Sequence, residues 1–199
     1  MTFTSNDKGS EQLAIKGSLP ADYVYYNQIA GDYVFTFQLQ ESEESTKLVD
    51  VNVDVTLEPT ADGTGFTMKG LGTGFDITLG YDKSAGSLSM NTQIVGEVSG
   101  NYLWMNAADF KDGGRLYVGQ SVCGMVTKWN KDLQNPVLTW KTNDFENLPT
   151  DSYCLWLTDK NGESQGPYKG SDYLFAGKYS LLLYVKSLTK KTPFPEPQK

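Results

Sequence analysis

Tyr117, Trp129, Trp140 and Trp156 are the side chains of this sequence best suited to holding a ligand. They fall in its second half, where strand-like runs carry apolar residues at odd and even positions alike. A flat aromatic face stacks on a sugar ring, and neighbouring Asn, Gln and Asp side chains take up the hydroxyls. Turned into a barrel, the same rings line a cavity for an apolar small molecule. Large aromatics also fill cores with no ligand at all. The chemistry on offer is binding, not bond cleavage.

Other spacings are less informative. Asp50, Asn52 and Asp54 form a polar ladder along one strand face, either a cation site or, as expected here, an ordinary solvated face. Asp82-Lys83-Ser84-Ala85-Gly86 interrupts an alternating run, but a calcium loop needs more oxygen ligands than Asp82 and Ser84 supply. It reads as a hairpin turn, as does Thr158 to Ser164, where Asn161-Gly162 signals a type I′ turn. Histidine is absent, which removes Ser-His and Cys-His pairs and imidazole metal sites. The two cysteines, Cys123 and Cys154, do not by themselves make a tetrahedral zinc site. Both lie in apolar runs and are expected as buried thiols, with a disulfide as the alternative. Glycoside hydrolysis needs two acids across a cleft, and no pair stands out among 24. No catalytic residue, metal ligand or cofactor is expected.

A charge balance of 17 basic against 24 acidic residues gives −7, which argues against binding a nucleic-acid backbone. No stretch reads as apolar enough to span a bilayer, and the opening "MTFTSNDKGSEQ" does not read as a signal peptide, lacking a basic start and an apolar run. Read literally the chain is cytosolic; the other reading is a chain from which an export signal has been removed.

The elements that must position these residues are strands. In "DYVFTFQLQ", Tyr33, Phe35, Phe37 and Leu39 share one face; in "KLVDVNVDVTLEP", Val49, Val51, Val53, Val55 and Leu57 point inward, and Asp50, Asn52, Asp54 and Thr56 point out. Glu41 to Ser45 and Pro59 to Gly65 read as turns, and Gly70-Leu71-Gly72 as a break. Phe75, Ile77, Leu79 and Tyr81 face inward next, continued by Leu88 and Met90. In "RLYVGQSVCGMVTKWN", read as the longest strand, Leu116, Val118, Val122 and Val126 oppose Tyr117, Cys123, Met125 and Trp129. "KDLQNP" and Asn143 to Asp151 are each expected to hold a short helical turn. About ten strands and no long helix follow. Residues 1–20 read as a polar leader, 21–189 as a single all-β domain and 190–199 as a proline-rich flexible tail.

Gly31 and Tyr33, Val49 to Leu57, Gly65-Phe66, Gly70-Leu71, Tyr81-Asp82 with Gly86 and Leu88, and Gln93 with Gly96 form a series. That series resembles the calycin-like β-barrel modules of secreted Bacteroidetes surface lipoproteins, over the first half of the chain. The resemblance implies export to the periplasm or outer surface, near glycan-acquisition systems and cell-envelope proteins, and carries over no catalytic residue. The expected fold is an all-β, antiparallel meandering barrel or a two-sheet sandwich. The expected function is a non-catalytic exported binding or surface-accessory module, with glycan as the favoured ligand class. Its alternatives are a lipocalin-like carrier of an apolar small molecule and a structural or adhesion domain with no small ligand. Any ligand is expected at Tyr117, Trp129, Trp140 and Trp156.

Overall fold

Period-two alternation builds the first half as the sequence implies. In the computed structural model, which describes residues 18–41, 45–71, 74–111, 114–143, 148–168, 174–175, 178–179 and 182–198, β1 (Gly31–Gln40) buries Tyr33, Phe35, Phe37 and Leu39. β2 (Leu48–Pro59) buries Val51, Val55 and Leu57 on the same side. The meander continues through β3 (Gly65–Lys69), β4 (Ile77–Asp82) and β5 (Ser87–Asn91), whose inward residues are Phe66, Met68, Ile77, Leu79, Leu88 and Met90. Burying each such side chain contributes about 1.5–3 kcal/mol.

From β5 the ladder passes to β9 (Gly124–Trp129), β10 (Val137–Thr142) and β15 (Leu182–Lys190), and β15 returns to β1 from Tyr33↔Lys190 to Gln38↔Tyr184. Eight antiparallel strands thus close into a barrel, and closure leaves no open edge in the ring. A register shift between Thr36 and Phe37 on the β1 side changes which β15 residues point inward. Leu183 and Val185 are buried before it, Leu188 and Lys190 after it.

The chain leaves the barrel at Thr92. This buried corner donates its backbone N–H to Cys123 O at 2.9 Å, and its hydroxyl oxygen accepts the N–H of Ala107 at 2.8 Å. β6 (Gln93–Val98), β7 (Asn101–Asp109) and β11 (Ser152–Thr158) then form a second sheet, joined to the barrel where β11 pairs with β15 through Tyr153↔Leu183 and Cys154↔Leu182. β8 (Arg115–Leu116) pairs antiparallel with the end of β7, and β12 (Ser164–Pro167) pairs with β11. β13 (Leu174–Phe175) and β14 (Lys178–Tyr179) form a separate hairpin. Leu103, Met105, Ala107, Tyr153 and Leu155 turn their side chains into the same cluster that fills the barrel. This second sheet accounts for one of the two apolar faces seen in the sequence.

A segment before β1 covers one end of the barrel. α1 (Tyr26–Ile29) places Tyr26 4.6 Å from the Phe66 ring, with its hydroxyl donating to Gly65 O at 3.0 Å. Tyr81 holds Val24 O at 2.8 Å, and Val24 N–H donates to Gly86 O at 3.0 Å. The Asp82–Gly86 stretch is a turn, with Asp82 Oδ1 accepting the N–H groups of Ser84 and Ala85 and Gly86 at φ +63°. It also receives this segment: a Cβ at Gly86 would lie 2.4 Å from the Tyr23 ring.

Several expectations are corrected. Residues 115–129 are not one strand, because Gly119 at φ +69° opens a turn between β8 and β9. Val118 and Val122, placed there, are 36% and 46% exposed. "KDLQNP" holds no helical turn; Asp132 Oδ1 accepts the N–H groups of Gln134 and Asn135 in an irregular loop. At Asn161-Gly162 only the glycine has positive φ, +88°, so the hairpin is not type I′. The C-terminal stretch is packed at Phe194, which is 5% exposed and donates its N–H to Leu133 O at 2.8 Å. Of the other expectations, residues 1–17 of the leader, 42–44 of the acidic turn, Gly72 and residues 144–147 of the connection before β11 lie outside the described residues.

Candidate functional site

In the second sheet the antiparallel register sets Trp104 of β7 opposite Trp156 of β11. Ile94 of β6 lies opposite Trp104 on its other side, and Pro167 of β12 opposite Trp156. Directly opposed residues project from the same face. Their chain neighbours Leu103, Met105, Leu155 and Leu157 turn toward the core. Ile94, Trp104, Trp156 and Pro167 therefore make one row across four strands on the outer face.

The row is fixed by its own hydrogen bonds. Trp104 Nε1 donates to Thr158 Oγ1 at 3.0 Å, and Trp156 Nε1 donates to Ser164 Oγ at 2.8 Å. Both indoles are half-buried, and Ile94 is 45% exposed. Such a surface offers ring faces whose orientation is already set, so a ligand loses little side-chain freedom of the protein on docking. The adjacent ring is taken: Lys160 Nζ lies 3.8 Å from the Tyr102 centroid and pairs with Glu97 at 2.5 Å.

The four residues singled out from the sequence do not come together. Trp156 alone stands in this row. Tyr117 is buried, its hydroxyl donating to Pro149 O at 3.0 Å, and burial raises its pKa. Trp140, on β10, is buried in the core, and Trp129, at the end of β9, packs 5.4 Å from Phe194. The Nε1 groups of Trp129 and Trp140 are buried without an acceptor among the described residues, a cost the barrel carries. Trp104 was missed. Its signal is a tryptophan between Leu103 and Met105, matched by Trp156 between Leu155 and Leu157, so that each strand opposes an indole to two aliphatic residues.

The remaining candidates are structural. Asp50 pairs with Lys186 at 2.7 Å, which holds its carboxyl below the usual range; Asn52 bonds Thr36 at 2.8 Å, and Asp54 pairs with Lys191 at 2.7 Å. A surface groove of about 270 Å³ beside them holds Asp32, Glu58 and Lys69, but Lys69 is spent on Glu58 at 2.6 Å and Asp32 accepts from Thr56 at 2.7 Å. Cys123 and Cys154 are both buried and not bridged to each other, and burial pushes the Cys154 thiol up to about 12. Among the described residues no group of three His, Cys, Asp or Glu is placed to hold a metal ion.

Nothing among curated proteins or solved structures matches the chain. A family match does extend over residues 6–156, taking in β1 to β10, both tryptophans of the row and most of β11. With three-quarters of its length inside that match, the chain belongs to DUF4987, a domain of unknown function.

Proposed function

We propose that this protein is a non-catalytic, exported binding or surface-accessory module whose ligand is a glycan held on the Trp104–Trp156 row. The observation that carries the reading is the pair of half-exposed indoles, side by side and pinned at Nε1 by Thr158 and Ser164. Export and a place at the cell envelope rest on the resemblance to Bacteroidetes surface lipoproteins. An apolar carrier is disfavoured because the barrel interior is occupied by its own side chains, among them Tyr33, Phe35, Phe37 and Phe66, all fully buried.

The test is a glycan array followed by tryptophan-fluorescence titration of the wild type, Trp104→Ala and Trp156→Ala. The expected outcome is a loss of affinity of about tenfold or more in each variant, equal to about 1.4 kcal/mol, at an unchanged melting temperature. Glycan binding that survives both substitutions overturns the assignment of the row. Binding of no glycan at all leaves the structural or adhesion role.

A further inference from the structure

Ile94 belongs to two surfaces at once. It closes the tryptophan row on β6, and it lines a groove of about 260 Å³ together with Thr78, Gly80, Ser89, Asn91 and Gln93. Thr78 and Gly80 alternate with the inward Ile77 and Leu79 on β4, and Ser89 and Asn91 alternate with Leu88 and Met90 on β5. The groove is thus the outer wall of the barrel where it meets the second sheet.

Its make-up is specific. Gly80 leaves backbone as the floor; a Cβ there would lie 2.7 Å from Ser89 Oγ. The Gln93 amide is held against Thr78, accepting its N–H at 2.8 Å and donating to its carbonyl at 2.9 Å, with a second bond to Asn91 O at 3.1 Å. Asn91 Oδ1 is shielded from solvent beside Gly124 and has no hydrogen-bond partner among the described residues, so this amide is a polar member of the lining that the fold itself does not use. No charged side chain lines the groove, on a chain of net charge −7. Hydroxyls and amides beside an apolar rim match a neutral polyhydroxyl ligand and offer an ionic one no partner.

We infer that the ligand is a linear, neutral oligosaccharide lying across the strands, from Pro167 over Trp156, Trp104 and Ile94 into the groove lined by Thr78, Gly80, Ser89 and Asn91. The inference rests on reading the tryptophan row as the sugar platform. The row alone spans three strand spacings, about 14 Å, which is longer than one sugar ring, and the groove extends it.

The experiment is a calorimetric titration with gluco-, xylo- and manno-oligosaccharides from monosaccharide to hexasaccharide, beside chains containing glucuronic acid. Affinity for at least one neutral series should rise about tenfold or more from the single ring to the tetrasaccharide. Gly80→Leu, which fills the groove, and Asn91→Ala, which removes an amide from its lining, should each cut that gain about fivefold or more, whereas Trp104→Ala should weaken every length. Should Gly80→Leu lower the melting temperature, Asn91→Ala decides. Affinity that is flat with length, a gain that neither groove variant reduces, or preference for the uronic chains overturns the groove while the platform stands. If none of these sugars binds while the array finds another glycan on the row, the inference falls and the platform stands; if the array finds none either, both readings fall.

Discussion

Lys190 is a cation placed among carbonyls. Its Nζ donates to Gln28 O at 2.7 Å, Ile29 O at 3.2 Å and Ala30 O at 2.5 Å, at the C-terminal end of α1, where helix carbonyls lack internal partners. The Tyr33 and Phe194 rings lie 5.2 and 5.5 Å away, so the ammonium ties α1, β1 and the C-terminal stretch together. Burial lowers its pKa to about 8, against a smaller opposing pull from Asp32. Lys190→Met keeps the aliphatic stem and removes all three donors. The substitution should destabilise the protein by about 2–4 kcal/mol, because three sheltered carbonyls lose their partner. Urea unfolding measures this as a lower midpoint at constant slope. A midpoint within error of wild type would show that water replaces the ammonium without cost.

Among the elements, β11 does more than extend the second sheet. Tyr153 sends its hydroxyl between β5 and β9, accepting the N–H of Met125 at 2.9 Å and donating to Met90 O. The strands stay close at this point because residue 124 is glycine: a Cβ there would lie 2.2 Å from Met90 O. Tyr153→Phe should cost about 3 kcal/mol, leaving a buried donor and a buried acceptor unmet, and should speed amide exchange at Met125 above that of its β9 neighbours. Equal exchange would mean that the two strands close up and bond directly. Neither contact is visible in the sequence, where Tyr153 is one aromatic among many. The faces of β1, β2, β4 and β5 were legible because each sets apolar residues against a polar side. β9 was not, since its run is apolar at odd and even positions alike and the turn at Gly119 interrupts it. β15 was not legible for another reason: its register shift swaps the inward set between Val185 and Leu188. At the site, the type of residue was legible and its placement was not. Trp156 acquires a neighbour only through the register that sets it opposite Trp104, and that register is decided by pairing between distant segments.

For the molecule as a whole, stability should follow a profile skewed to alkaline pH. Asp62, Asp82, Asp132 and Asp159 accept hydrogen bonds within their own turns, which lowers their pKa values, Asp62 to about 2. Below about pH 4 the unfolded chain takes up these protons first, so stability falls as pH falls through that window. Lys190 works at the other end. Between about pH 8 and about pH 10.4 the unfolded chain still holds a proton that the folded one has released, so stability rises with pH. Burial raises Tyr33, Tyr81 and Tyr153, and above about pH 10 the unfolded tyrosines ionise first and stability falls. The melting temperature should therefore peak near about pH 9–10, and Lys190→Met should lose the rise above pH 8 while keeping the later fall. A wild-type profile that declines steadily from pH 8 would contradict this. The topology has a consequence of its own for biosynthesis. β15 touches β1, β10 and β11, yet it is translated after all of them. While the chain is still on the ribosome the ring stays unsealed. One flank of β1 keeps its backbone donors and acceptors free until the last strand emerges, exposed to any other nascent chain.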